Sequence, residues 1–396
     1  MLLTARWCKR HGHPPPQAFT VDHGLRVGSS QEALHVAHWA RVRGIPHETL
    51  VWIGHKPTEN IQALAREARY RLLGERMRAL GLKTLLTGHT RDDQAETFLL
   101  RLARGSGLDG LSGMAPVAPF PIAGFTDLKI ARPLLNASHA ELMGTLGQFD
   151  QRWFDDPSNE NGRFARVQVR QAMAQLASAG LTTERVAAAT THLRRVREAI
   201  DASVAALLTS AANVTTWGYA LVAREHFATA PREVALRALA NLIEAIGGGE
   251  YPPRFEQTEA VLDWLTSNAG PKGRTLGGCR LARRDAKMIL IAREESALAK
   301  EDPAAILAPG ETCVWDRRFA LTLSRTAAEP VEVRRLGPAG LKKVPEASAM
   351  PAIEPRRIAA ALPGIWSGPR LISAPFIGFE PTKSLVSAEF LGLRRT

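Results

Sequence analysis

Between residues 18 and 104 the hydrophobic pattern switches back and forth between short strand-like runs and helical spacing, and most switches fall at a glycine. AFTVDHGL (18–25) reads as a short strand ending in Asp22-His23-Gly24. SSQEALHVAHWARVRG (29–44) has helical spacing, a serine start and a glycine stop. HETLVWI (47–53) is a second strand, TENIQALAREARYRLLGERMRALG (58–81) a helix, KTLLTGH (83–89) a third strand and DDQAETFLLRLAR (92–104) a third helix. Strands that alternate with helices across short connections build an α/β domain on a parallel sheet. Ligands of such sheets sit at the carboxyl ends of the strands. Asp22-His23-Gly24 and Gly88-His89 both fall at such ends.

The 396 residues are enough for roughly two or three domains. APVAPFPIAGF (115–125) and DDPSNENGRF (155–164) read as loops, and the pattern turns helical from Leu181 to about Asn268. GRTLGGCRLARRDAKMILIARE (273–294) reads as a glycine-turned hairpin region, EDPAAILAPGET (301–312) as a linker, and the remainder as short strands. The expected order is therefore an α/β domain, a helical-plus-hairpin domain and a small C-terminal module. No apolar run approaches the roughly 18 residues of a membrane helix, and no secretory apolar stretch with a cleavage site opens the chain. A cytoplasmic protein with no membrane partner is expected. Cys8, Cys279 and Cys313 lie far apart without CxxC spacing, which argues against a disulfide framework or a zinc ribbon. The net charge of +12, from 51 basic and 39 acidic side chains, points to a polyanionic partner, most simply nucleic acid.

The densest chemistry lies in LLTGHTRDDQAETFLLRLARGSGLDGLSGM (85–114). Ala95, Phe98, Leu99 and Leu102 form one apolar stripe at helical spacing, and Asp92 and Glu96 lie together beside it. Asp92 and Asp93 open the helix, where the macrodipole favours anions. Capping charge explains one or two acids. It does not explain a Gly-His strand end in front and the glycine-rich Arg104-Gly105-Ser106-Gly107 behind. Carboxylates at a strand end can hold Mg²⁺ or a substrate ammonium, and glycines let backbone approach a ligand closely. On the residues alone, capping and an active site both stay open.

GHTRDDQAET followed by RGSGLDGLSGM closely resembles the tRNA(Ile)-lysidine synthetases, of the N-type ATP pyrophosphatase (PP-loop) superfamily. FTVDHGLR (19–26), NIQALAREARYRLL (60–73), RPLL (132–135) and DDPSNENGRFARVQVR (155–170) match further family motifs in order and spacing. The resemblance covers most of residues 18–170 and is looser beyond, best at TLGGCRLARR (275–284). It implies a sheet of the adenine-nucleotide alpha-hydrolase type, with a catalytic domain over 1–175 and tRNA-binding modules over 181–296 and 311–396. It also implies an activity: ATP and Mg²⁺ adenylate the C2 oxygen of cytidine 34 in an isoleucine tRNA with a CAU anticodon. The amine of L-lysine then displaces AMP, and codon reading changes from AUG to AUA.

Carried over residue by residue, the resemblance puts Asp22, His23, Arg66 and His89 at ATP. It makes Asp92, Asp93, Glu96 and Arg69 catalytic, with Asp92 and Asp93 holding the metal or the lysine ammonium. Arg163, Arg166 and Arg170 recur at spacings of three and four and form one basic face toward tRNA or the transferring phosphate, and Arg104, Arg280 and Arg283 are further tRNA candidates. A solvated basic face is the plain alternative for each. The family's Ser-Gly-Gly-x-Asp-Ser loop and its strand do not occur ahead of Met1-Leu2-Leu3, which resembles the opening of the helix after that loop. The expectation is a true start upstream of Met1. The alternative is a truncated, catalytically inactive tRNA-binding relic of the same family. A tRNA thiolase is disfavoured because its relatives carry paired cysteines. Oligomeric state stays open, a homodimer included.

Overall fold

The structure is a computed structural model that describes residues 1–25, 28–54, 61–122, 124–154, 165–249, 251–267, 269–345, 348–380 and 385–393. The chain divides into two compact units, Met1–Arg197 and Glu198–Thr396.

Unit 1 opens with α1 (Leu2–Arg10) and then alternates as its glycine-punctuated sequence dictates: β1 (Ala18–Asp22), α2 (Ser29–Val42), β2 (His47–Val51), α3 (Ile61–Ala79), β3 (Thr84–Leu86) and α4 (Arg91–Leu102). There follow α5 (Leu108–Leu111), β4 (Val117–Pro119), β5 (Lys129–Ala131), α6 (His139–Gln148), α7 (Ala165–Ser178) and the start of α8 (Thr183–Ala211). β1 and β2 pair in parallel, Ala18 opposite His47 through Asp22 opposite Val51. β3 and β5 pair in parallel with Leu85 opposite Ile130, and β4 runs antiparallel to β5. Among the described residues the parallel strands thus form two separate sheets, β1-β2 and β3-β5-β4. One core joins them: Tyr70, Leu73 and Met77 of α3 pack with Phe120, Phe125, Leu128 and Ile130, and Phe19, Val21, Leu50 and Leu85 close onto it. Gly74 allows that approach, because a Cβ there would stand 2.6 Å from Cε1 of Phe125. The stretch expected to be loop at 115–125 contains β4; of its three prolines only Pro119 lies in that strand, at its last position and on the edge of the sheet, where a missing N–H costs least.

Unit 2 holds the end of α8 and a five-stranded antiparallel sheet in the order β6-β7-β10-β9-β8, built from β6 (Ala212–Val214), β7 (Tyr219–Ala223), β8 (Gly273–Leu276), β9 (Cys279–Arg283) and β10 (Met288–Arg293). Between β7 and β8 run α9 (Arg224–Thr229), α10 (Arg232–Gly247) and α11 (Phe255–Thr266). Leu239, Leu242, Ile243 and Ile246 of α10 are fully buried in this core, each contributing roughly 2 kcal/mol of transfer free energy. The expected hairpin turns at Gly277-Gly278, both at positive φ (56° and 74°), the conformation a two-residue turn demands. The helical expectation for 181–268 is corrected by β6 and β7. Helix-favouring alanines, Ala211 and Ala212, straddle the α8–β6 junction and hide it.

The rest of unit 2 carries α12 (Glu295–Glu301), β11 (Ala305–Leu307), β12 (Thr312–Trp315), β13 (Phe319–Leu323), β14 (Val331–Arg335), α13 (Gly337–Leu341), α14 (Pro355–Ala360), β15 (Pro363–Ser367), β16 (Arg370–Ser373) and β17 (Val386–Phe390). They form sheets β11-β14-β15-β16 and β12-β13-β17 around a second core. The linker expected at 301–312 is corrected too: β11 pairs with β14, Leu307 opposite Val331, and Leu307 is buried. Its partner lies too far along the chain for local pattern to reveal the pairing. Among the described residues no helix is long and apolar enough to cross a membrane.

Candidate active site

β1 delivers Asp22 and His23 to its carboxyl end. Asp22 Oδ1 accepts from the Gly24 amide (2.9 Å) and Ser29 Oγ (2.7 Å), and Oδ2 accepts from Ser30 Oγ (2.6 Å). The Ser30 hydroxyl, then Ser29 and the Gly24 amide, hold this carboxyl below its ordinary pKa. Asp22 therefore ties the strand end to the start of α2. His23 Nε2 accepts from Nε of Arg69 on α3 at 3.2 Å, and the imidazole stands edge-on to Trp52 at 6.0 Å.

Three residues past the end of β3 stands His89, whose Nδ1 pairs with Thr87 Oγ1 at 2.8 Å. Burial pushes the His89 imidazole below its ordinary pKa; Arg132, Arg66 and Arg166 push the same way and Asp93 opposes them. His89 is thus neutral at pH 7 and stands among three guanidinium groups and one carboxylate. Arg66 and Arg69 are three apart on α3, so a single helix face reaches both strand ends. Arg66 also lies over the Tyr70 ring at 5.0 Å.

The helix that follows is fixed by its acids. Thr90 caps α4: its Oγ accepts from the Asp93 amide at 3.3 Å, while Asp93 Oδ2 accepts from the Thr90 amide (2.8 Å) and hydroxyl (2.9 Å). Asp92 Oδ2 accepts from the His139 amide at 2.7 Å, at the start of α6. Each aspartate keeps its Oδ1 uncommitted among the described residues. One turn on, buried Glu96 takes Nε of Arg170 from α7 on Oε1, and Oε2 has no partner among the described residues. Burial pushes the Glu96 carboxyl above its ordinary range, against the pull of Arg170. Gln94 grips Met114 through both backbone groups, at 2.8 and 2.7 Å, and Arg101 donates to the Gly110 and Gly113 carbonyls, which pins the glycine-rich stretch to α4.

Arg166 is exposed on α7 with Arg170, Arg104 is exposed beyond α4, and Arg163 lies outside the described residues. In unit 2, Arg280 pairs with Glu354, and Arg283 donates to the Trp264, Ser267 and Ala269 carbonyls while stacking on Trp264 at 5.1 Å. Both guanidinium groups thus serve the fold, and any contact with a partner would be additional to these bonds. Sequence reasoning missed Arg132. It is buried just past β5, donates from Nη1 to the Ala115 carbonyl at 2.8 Å, and leaves Nε without a partner among the described residues. An arginine two residues from the fully buried Ile130 gives little sign of itself in a periodicity count; the one available signal was its place in Arg132-Pro133-Leu134-Leu135.

Among the described residues no group of three or more His, Cys, Asp and Glu side chains is placed to hold a metal ion. Two aspartates, each with one oxygen uncommitted among the described residues, still suit Mg²⁺, which is commonly held by one or two carboxylates together with substrate phosphates and water. A neutral histidine amid arginines, next to such a pair at the ends of parallel strands, has the composition of a site for a nucleoside polyphosphate.

The PP-loop domain family matches residues 1–177, so unit 1 carries the domain of a class of ATP-using enzymes. A tRNA(Ile)-lysidine synthase of Ruegeria pomeroyi is 37% identical over 377 residues, spanning 95% of this chain and 84% of its own. Its counterpart in Wolbachia pipientis is 34% identical over 81% of this chain and 73% of its own, and one in a Bradyrhizobium strain is 40% identical over 67% and 75%. The chain belongs to the tRNA(Ile)-lysidine synthase family. Among solved structures, a U34-tRNA thiolase of Methanococcus maripaludis matches at a TM-score of 0.39 and 14% identity over 49% of this chain and 66% of that one, a likeness too distant to carry an argument.

Proposed function

We propose that this chain is the cytoplasmic ligase that joins L-lysine to C2 of cytidine 34 in the CAU anticodon of isoleucine tRNA, through an adenylated intermediate. The observation that carries the reading is the cluster past the ends of β1 and β3: Arg69 bonded to His23, His89 bonded to Thr87, and Asp92, Asp93 and the Arg170-bound Glu96 on the first turns of α4, with the charges of Arg66, Arg132 and Arg166 acting on His89.

In the first step the cytidine O2 attacks the α-phosphorus of ATP and pyrophosphate leaves. Negative charge gathers on the phosphates, and Arg132 and Arg66 are the groups that would hold it; removing such a stabilising group commonly costs 10²–10³ in rate. Neutral His89 and the Arg69–His23 pair orient the nucleotide. Mg²⁺ bound by Asp92 and Asp93 would supply charge neutralisation at the phosphates. In the second step the lysine amine attacks C2, the C2–O2 bond breaks so that AMP leaves carrying that oxygen, and the proton of the amine passes to solvent. Glu96, buried with one oxygen unpartnered among the described residues, is suited to orienting lysine's other cationic group. Residues 181–296 and 311–396 serve as tRNA-binding modules in this reading, with Arg104, Arg163, Arg166 and Arg170 on the catalytic side.

The test is release of pyrophosphate and AMP from ATP with Mg²⁺, omitting lysine and CAU-anticodon tRNA in turn. It is run on the 396-residue chain and on the chain preceded by a strand and a Ser-Gly-Gly-x-Asp-Ser loop. Pyrophosphate that requires tRNA, with AMP only after lysine is added, supports the ligase. Tight tRNA binding without ATP turnover in either form supports the relic, and turnover indifferent to tRNA defeats both.

A further inference from the structure

Among its described residues unit 2 contains two large hydrophobic cores and a smaller apolar cluster, Tyr219, Leu290, Ala292 and Ile358, that packs β7 and β10 against α14; where the two large cores meet lies a charge cluster that the proposed reaction does not use. Arg293 ends β10, in the sheet of the first core. Asp316 and Arg318 occupy the turn between β12 and β13, in the second. Arg293 meets Asp316 bidentately, Nη2 to Oδ1 at 3.0 Å and Nε to Oδ2 at 3.2 Å, and Arg318 Nε donates to the same Oδ2 at 2.6 Å. All three side chains are at most 2% exposed.

Each guanidinium then reaches a different segment. Arg293 donates to the Gly278 carbonyl of the hairpin turn (3.2 Å) and to Glu301 of α12 (2.8 Å). Arg318 donates to the Ala361 carbonyl after α14 (3.0 Å). Arg317 donates to the Gly248 carbonyl at the end of α10 (3.2 Å). Backbone closes in around them: a Cβ on Gly248 would stand 2.5 Å from the Asp316 carbonyl oxygen, and one on Gly278 2.2 Å from Nη1 of Arg293. Asp316 and Arg317 themselves hold left-handed φ values of 48° and 52°, which non-glycine residues keep only when their surroundings impose them.

Burying two guanidinium groups on one carboxylate is no efficient source of stability, because well-packed apolar side chains of similar volume commonly do as well or better. What directional, bidentate bonds add is a unique geometry. We infer that Asp316 is a joint: it fixes the register between the helix-and-hairpin module and the C-terminal module, so that the two behave as one rigid body. The inference concerns the fold of unit 2 and stands whether or not the proposed reaction is correct.

The experiment compares the full chain with Asp316→Asn and with the apolar triple variant Arg293→Met/Asp316→Leu/Arg318→Met. The readouts are the number of calorimetric transitions and the rate of tryptic cleavage at Lys300, an exposed residue on α12 between the modules. The expected result for Asp316→Asn is cleavage at Lys300 at least ten times faster, with an added unfolding transition. The triple variant is expected to melt close to wild type while still being cut at least ten times faster. If Asp316→Asn does not fold, the triple variant decides alone. Wild-type cleavage rates in the triple variant, or in a folded Asp316→Asn, would overturn the joint.

Discussion

Asp93 is assigned two jobs, and substitution can separate them. As the third residue of the capping box, its Oδ2 satisfies the Thr90 amide and hydroxyl; as half of the proposed cation site, its charge and its other oxygen matter. Asparagine keeps an acceptor in the same place and loses the charge. The structural cost of Asp93→Asn is then the helix-dipole contribution, about 0.3–1 kcal/mol. Asp93→Ala removes both hydrogen bonds and strands the amide of buried Thr90, which costs about 1–2 kcal/mol. For a unit of this size, roughly 1 kcal/mol moves the melting temperature by about 2–4 °C. The expected shifts are about 1–4 °C for asparagine and 2–8 °C for alanine. AMP formation should fall by about 10²-fold or more in both, since both lose the charge. Thermal melts and the AMP assay on the same preparations check this. An asparagine variant that works within threefold of wild type would reduce Asp93 to a helix cap, and an asparagine variant as unstable as alanine would refute the capping assignment.

Three further outcomes are expected. Gly74→Ala, ordinarily a helix-stabilising change worth about 1 kcal/mol, should instead lower the melting temperature by a few degrees because its Cβ meets Phe125; pairing it with Phe125→Leu should recover the loss, and a stabilised single variant would contradict the packing. Arg132→Met keeps the stem and removes the guanidinium, so KM for ATP should rise about tenfold or more, and an unchanged KM would detach Arg132 from phosphate. Glu96 has its pKa raised on folding from an ordinary 4.5; its contribution is therefore complete below that value and is lost as pH rises through the folded pKa. The melting temperature of wild type relative to Glu96→Gln should accordingly fall between pH 4 and pH 7, and a rise would mean that Arg170 outweighs burial.

The parts of the fold visible in the sequence are those set by local pattern. Helical spacing ending at Gly44 and Gly81, and a Gly277-Gly278 turn between strand-like runs, are decided within a few residues. β6 and β7 were hidden because nothing breaks the alanine-rich end of α8, and β11 because its partner β14 comes some two dozen residues later. The same holds at the site. Asp92, Asp93 and Glu96 stood out as a cluster on one turn of helix, whereas their division of labour depends on Thr90, the His139 amide and Arg170, only the first of which is close in sequence. Arg132 was passed over because burial and an unpartnered Nε are properties of packing. Arg280 and Arg283 looked like free surface charge, since neither Glu354 nor the carbonyls after Trp264 can be paired with them by spacing.

The grip of Gln94 on Met114 has a thermodynamic consequence. The two residues are twenty apart in the chain, and bringing the ends of such a span together costs roughly 2–3 kcal/mol of chain entropy. Folding meets that cost once, through the paired amide bonds of Gln94, the two carbonyl contacts of Arg101, and a Gly113 whose missing Cβ would otherwise strike Thr190 at 2.4 Å. The ring is closed before any ligand arrives. A polyanion reaching Arg104 or the amides of residues 105–107 therefore orders side chains and displaces water, but does not have to confine the backbone as well, and affinity there is spared the entropy that a floppy glycine loop would charge.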